Sequence, residues 1–76
     1  MSLGDNLKMI RQRALLTQEE FAFQLNVALS TVNRWEKNKA RPSLSTMKAL
    51  REFCKKNDFS FSEIENSWLN FKPEDK

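Results

Sequence analysis

The sequence is poor in the residues that build metal sites, disulfides and phosphate-binding loops. It has no His, one Cys and one Gly among its 76 residues. A single Cys cannot form an internal disulfide, and without His the chain lacks the ligands of a Cys/His zinc site. One Gly is too few for a glycine-rich loop that cradles phosphate. We therefore expect no metal, no other cofactor and no enzymatic activity.

Long apolar runs are also missing. No stretch approaches the roughly 20 apolar residues that cross a bilayer, and the chain opens without the apolar segment of a signal peptide. We expect a cytoplasmic protein that does not enter a membrane. A domain this small buries only about 60% of the surface that its unfolded chain exposes. We expect one domain and no small-molecule ligand.

Charge is distributed unevenly along the chain. Residues 1–57 carry 11 Lys and Arg against 5 Asp and Glu, whereas residues 58–76 carry 2 against 5. A basic body with an acidic tail is typical of a protein that binds a polyanion such as nucleic acid. A solvated basic surface would have the same composition, so charge alone leaves the partner open.

Periodicity and capping residues predict an all-α domain of five helices. Thr17 with Glu20 forms a capping box at the start of the second helix, and Ser60 with Glu63 forms another at the start of the fifth. Asn26 suits the left-handed turn that ends a helix. The first three predicted helices span about residues 5–15, 18–25 and 29–37. The fourth is capped by Ser43 or Ser45 and runs to about residue 56, and the fifth opens at residues 59–60 and stops before Pro73. Residues 1–57 form a helix-turn-helix core, and residues 58–76 are the C-terminal helix and tail of the same domain.

Apolar residues at helical spacing predict the core of this domain. We expect Cys54 to be a small buried apolar residue within it. The inward positions of the first four helices are Leu7, Ile10, Ala14, Leu15, Phe21, Ala22, Leu25, Val32, Trp35, Leu44, Met47, Leu50, Phe53 and Cys54.

The second and third helices are each about two turns long, too short to be stable alone. They are joined by a tight connection at residues 26–28. This arrangement is typical of a helix-turn-helix, in which the second of the two helices enters the major groove of DNA. Arg can bond both acceptors of a guanine edge, and Asn can do the same with adenine. The residues on the outward face and in the following loop are Leu29, Ser30, Asn33, Arg34, Lys37, Lys39 and Arg41.

Several short blocks carry a resemblance to a known family. They are QEEFA at 18–22, NV at 26–27, STV at 30–32, RWEKNK at 34–39 and RP at 41–42. Over about residues 7–53 the chain resembles the phage repressor and Cro-like helix-turn-helix family. The sequence departs from the family pattern at Ala28, where a capping Ser or Thr is common, and at Asn38, where Gly is common.

The resemblance implies a five-helix domain that binds double-stranded operator DNA, usually as a homodimer. It implies a structural ion pair between Arg11 and Glu36. It implies that base edges are read by Leu29, Ser30, Asn33 and Arg34, and that the DNA backbone is held by Gln18, Thr31, Lys37, Lys39 and Arg41.

The C-terminal helix carries more large apolar residues than its own packing requires. They could close the core over the first and fourth helices, or they could form the self-association surface that a two-fold dimer needs. Both interpretations stay open. The candidates for a dimer interface are Ile64, Trp68 and Phe71.

The main hypothesis is a sequence-specific DNA-binding regulator of transcription, most simply a repressor. Phage repressors, restriction-modification controllers and antitoxins all fit it. The alternative is a protein-interaction module, an antitoxin-like or regulatory partner, that has the fold without strong DNA binding. Salt-sensitive retention on heparin or on mixed-sequence DNA separates the two.

Overall fold

The computed structural model describes residues 1–73, and these form five α-helices without a strand. The predicted all-α fold is therefore confirmed. Helices α2 and α3 pack on each other, α1 packs on α3 and α5, and α2 packs on α4. The helices are α1 (Leu3–Arg13), α2 (Gln18–Leu25), α3 (Leu29–Glu36), α4 (Leu44–Lys56) and α5 (Ser62–Leu69).

Helix α1 begins two residues earlier than predicted. Ser2 is its N-cap and accepts a 3.0 Å hydrogen bond from the Asp5 amide, which places Leu3 in the core at 2% exposure. The helix also ends earlier, because Leu15 adopts a left-handed conformation with φ of 61°. That turn leaves the Leu15 side chain 89% exposed. The prediction that Leu15 belongs to the inner stripe was wrong.

The close crossing of α1 and α3 depends on Gly4. A Cβ atom at this position would lie 2.7 Å from the carbonyl oxygen of Trp35 and 2.8 Å from that of Glu36. The Gly4 amide donates a 2.9 Å hydrogen bond to Oδ1 of Asn38. The start of α1 is thereby bonded to the turn that follows α3, whose residue Asn38 has the left-handed φ of 58°.

Helix α2 has the predicted capping box at its start. The Thr17 hydroxyl accepts from the Glu20 amide at 3.0 Å, and the Glu20 carboxylate accepts from the Thr17 amide at 2.8 Å. At the other end, Asn26 has a φ of 59° and turns the chain toward α3. Both expectations for this helix are confirmed.

The core lies between all five helices. Phe21 of α2 meets Phe53 of α4 edge to face, with ring centroids 5.3 Å apart. A second predicted core position, besides Leu15, was wrong: Leu44, the first residue of α4, is 64% exposed, and the buried residues of that helix begin at Met47. The buried apolar residues are Leu3, Leu7, Ile10, Phe21, Ala22, Leu25, Val32, Trp35, Met47, Leu50, Phe53, Cys54 and Ile64.

Helix α5 starts later than predicted, at Ser62, and the expected Ser60–Glu63 capping box does not form. The reason lies in the preceding turn. Asp58 has a φ of 61°, and the Phe59 amide donates to the Cys54 carbonyl at 2.7 Å. Residue 59 therefore completes the end of α4 and packs on the core, which shifts the first turn of α5 along the chain.

Candidate nucleic-acid interface

Helix α3 has two sharply different sides. Val32 is fully buried and Trp35 is 2% exposed, so these side chains fasten the helix to the core. Ser30 and Arg34 are exposed, and Leu29 is 47% exposed. A helix places residues three and four apart on one side. The outward side of α3 therefore begins with the apolar Leu29 and is otherwise polar and basic, through Ser30 to Arg34.

The turn between α2 and α3 sets the angle between them. The Val27 amide donates to the Ala22 carbonyl at 3.0 Å, directly after the left-handed Asn26. Ala28 is the N-cap of α3 and provides no side-chain hydrogen bond to it. The first amides of α3 are thus uncapped by any side chain among the described residues. Free amides at a helix start favour nearby anions.

Arg11 and Glu36 form the ion pair that the family resemblance implied. Arg11 Nε lies 2.7 Å from Glu36 Oε2, and Arg11 Nη2 donates to Glu36 Oε1 at 3.0 Å. A third donor, Nη1, bonds the Leu16 carbonyl at 2.9 Å. The side chains are 11% and 5% exposed. This bidentate pair joins α1 to the end of α3 and neutralises a carboxylate that DNA would otherwise repel.

The same network extends to two residues that were expected to face DNA. Gln18 Nε2 donates to Glu36 Oε1 at 3.0 Å, and Asn33 Nδ2 donates to Gln18 Oε1 at 3.4 Å. Gln18 and Asn33 are both half-buried. A continuous chain of polar contacts therefore runs from α1 through Glu36 to the start of α2 and the middle of α3. Sequence reasoning missed the two contacts of Gln18, which join residues 18 and 15 positions apart.

Basic residues follow α3 directly. Lys37 is its C-cap, and Lys37 and Lys39 are both exposed. The loop is shaped by Asn38, whose Nδ2 donates to Ser2 Oγ at 3.1 Å. Residues 29–41 contain four Lys or Arg and a single acid, Glu36, which Arg11 neutralises. The loop and the outward side of α3 form one positively charged region, named below the basic ridge.

Arg41 differs from the lysines because its head group contacts α5. Its Nη1 donates to the Trp68 carbonyl at 2.8 Å, and its guanidinium carbon lies 4.5 Å from the centroid of the Trp68 ring. The indole Nε1 of Trp68 in turn donates to the Pro42 carbonyl at 2.7 Å. Nothing in the local sequence signals these contacts, since the residues are 26 and 27 positions apart.

The three residues named as interface candidates do not share one surface. Ile64 is 1% exposed and belongs to the core, so its predicted role in a dimer interface was wrong. Trp68 and Phe71 are half-buried and pack against that core. The C-terminal helix therefore closes the core, and its exposed apolar residue is Leu69 at 63%.

The part of the chain that the structure describes offers few groups suited to covalent chemistry or metal binding. Burial raises the pKa of the Cys54 thiol to about 11, so at neutral pH it is a protonated, unreactive group. Residues 1–73 contain no grouping of His, Cys, Asp and Glu suited to a metal ion. None of the described helices is long and apolar enough to cross a bilayer.

Comparisons with known proteins agree with this geometry. The family model described as "Helix-turn-helix" matches residues 7–58. The HTH-type transcriptional activator BcrR of Enterococcus faecalis is 32% identical over 53 residues, which cover 70% of this chain and 26% of that protein. The chain thus spans about a quarter of that relative's length. No solved structure matches.

The matched segment begins in α1 and ends just after α4, so it contains the two-helix unit, the ion pair and the basic ridge. The chain belongs to the phage repressor and Cro-like helix-turn-helix family of DNA-binding transcription regulators.

Proposed function

We propose that the protein binds specific double-stranded DNA sequences by inserting α3 into the major groove. The observation that carries the proposal is the division of α3 into a buried side, Val32 and Trp35, and an outward side with Ser30 and Arg34. An α-helix with its side chains is about 10–12 Å in diameter. The major groove is about 12 Å wide and accepts one helix.

Within this proposal the outward residues have distinct roles. Arg34 donates to a guanine edge, and Asn33 and Ser30 bond neighbouring base edges. Leu29 contacts the methyl group of a thymine. Gln18 contacts a phosphate at the groove edge, and further backbone contacts come from Thr31, Lys37, Lys39 and Arg41.

The polar network supports these roles by holding Gln18 and Asn33 in place before DNA arrives. The Gln18 amide is bonded on both sides, to Glu36 and to Asn33. Each rotamer-rich side chain that is already ordered saves about 0.5–1.5 kcal/mol of ordering cost on binding. The network therefore favours a recognition surface that changes little on contact with DNA.

Selection of bound sequences from a random DNA pool tests the proposal. We expect a defined motif, and affinity for that motif should fall steeply as salt rises, because phosphate contacts release counterions. The alternative function is a protein-interaction module. A protein that leaves heparin and mixed-sequence DNA unbound at low salt would contradict DNA binding and favour that alternative.

We also propose that the protein acts as a homodimer on a two-fold symmetric site. The supporting surface is the groove between α4 and α5, where Leu44 and Leu69 are 64% and 63% exposed. Lys48 and Arg51 line its α4 side, and Glu65 lines its α5 side. In a two-fold interface each basic side faces the partner's acidic side, so the patch is complementary to itself.

Replacing Leu69 with Asp should convert the dimer to monomer, because the new carboxylate would be desolvated in an apolar contact. Sedimentation velocity measures the change. Phe23→Asp is the matched control, since Phe23 is 86% exposed and lies on α2 outside this groove. A Leu69→Asp protein that stays dimeric, or a footprint covering one half-site at saturation, would contradict the proposal. Half-site centres should lie about 34 Å apart or at multiples of that distance.

Repression by occupying the operator is the regulatory outcome we propose, because it requires only the DNA-binding unit described above. Activation is the second candidate, since the relative whose match covers 70% of this chain is named a transcriptional activator. A reporter gene with the selected motif overlapping its promoter separates them: expression falls for a repressor and rises for an activator.

A further inference from the structure

The contacts between α5 and the loop before α4 link the C-terminal helix to the basic ridge. Trp68 makes three contacts there: its ring lies under the Arg41 guanidinium at 4.5 Å, its carbonyl accepts from Arg41 Nη1 at 2.8 Å, and its Nε1 donates to Pro42 at 2.7 Å. Together they hold residues 41–42 against α5, and they are named below the α5 clasp.

The clasp leaves most of the Arg41 head group available. A guanidinium has five N–H groups, and the Trp68 carbonyl takes one of them in the part of the chain that the structure describes. The Arg41 side chain is also exposed to solvent. A stacked guanidinium on a tryptophan face keeps its charge and its remaining donors. The clasp therefore fixes the position of the charge without neutralising it.

We propose that Trp68 is a positioning residue for DNA binding, which holds Arg41 ready for a backbone phosphate. This inference rests on the proposed function. In this proposal Trp68 itself does not contact DNA. Without the clasp, Arg41 would lose side-chain conformational entropy when it binds DNA. The clasp orders Arg41 already in the free protein, so binding does not carry that cost. Removing the clasp should weaken DNA binding by about fivefold, the usual effect of ordering one such side chain.

The test uses a mixed-sequence duplex of about 12 base pairs, which is about 41 Å long at 3.4 Å per pair. It accommodates one domain, whose longest dimension is 35 Å, but not two half-sites with centres about 34 Å apart. Dimerisation through the α4–α5 groove therefore does not contribute to the measured affinity. Fluorescence anisotropy at several salt concentrations gives the dissociation constant and the salt slope.

Trp68→Leu should weaken binding by about fivefold and leave the salt slope nearly unchanged, because Arg41 can still reach its phosphate. Arg41→Ala removes the contact itself, so it should weaken binding at least as much and lower the salt slope by about one. In the double variant the two effects should not add, because Trp68 acts on DNA binding only through Arg41. Trp68→Phe keeps the ring face and should retain part of the affinity. Asn66→Ala, an exposed position on α5, is the matched control and should bind like the parent.

Additive losses in the double variant, or parental affinity in a folded Trp68→Leu protein, would overturn the proposal. If Trp68→Leu fails to fold, Trp68→Phe with and without Arg41→Ala completes the same cycle. A parent protein that does not bind the duplex at low salt contradicts the proposed function itself. Parental binding with additive losses contradicts only the role of Trp68, so the two failures are distinguishable.

Discussion

Replacing Arg11 with Ala should destabilise the domain by about 3–5 kcal/mol, the usual cost of removing one partner from a buried ion pair. The Glu36 carboxylate is 5% exposed and would lose its bidentate cation. The Leu16 carbonyl would lose its bond from Arg11 Nη1 as well. Because the pair joins α1 to the end of α3, the damage should reach the polar contacts of Gln18 with Glu36.

Thermal unfolding followed by circular dichroism measures this effect. For a domain of this size each kcal/mol lowers the melting temperature by about 4–8 °C, so the Arg11→Ala protein should melt at least about 12 °C below the parent. Arg13→Ala is the matched control, since Arg13 is an exposed arginine on the same helix.

A double replacement distinguishes a lost cation from lost packing. Arg11→Met combined with Glu36→Met removes both charges and keeps apolar volume, and such replacements are often neutral or stabilising. We expect the double variant to be more stable than Arg11→Ala. Equal melting temperatures for Arg11→Ala and Arg13→Ala would contradict the energetic role of the pair.

The second large effect concerns recognition of DNA. Replacing Arg34 with Ala should cost about 1–3 kcal/mol on the selected motif, which is the usual value of a bidentate contact to guanine. The loss should fall on one base position, where the variant should accept other bases. Arg34 is exposed on α3, so the substitution should leave stability nearly unchanged.

Lys39→Ala is the matched comparison, because Lys39 is an exposed cation five residues along the same basic ridge. A phosphate contact carries no sequence information. This variant should therefore weaken specific and mixed-sequence binding alike and lower the salt slope by about one. Titrations of both variants on both DNAs make the comparison. Equal losses on the two DNAs for Arg34→Ala would remove Arg34 from base reading.

Local patterns predicted the helices well where the capping residues and the apolar period agreed. The capping box at Thr17 and the left-handed Asn26 were predicted and are present. The buried pair Val32 and Trp35 was predicted from spacing alone. These features depend on neighbours within one or two turns, so the chain carries their signal locally.

Predictions failed where a turn or a distant contact, rather than apolar spacing, set the local structure. The Ser60 cap was displaced because Phe59 completes the end of α4. Leu15 was expected inside, but the left-handed turn at that residue points it outward. Ser2 was given no role, although it caps α1 and bonds Asn38. Apolar periodicity does not report such contacts.

The amino-acid order by itself determined the five-helix class, the two short helices at the centre and which side of α3 is polar, since all of these follow from spacing within single helices. Tertiary structure alone decided that Gln18 bonds Asn33 and that Arg41 rests on Trp68. The physical reason is that side chains 15 to 27 positions apart meet only after packing has set the angles between helices.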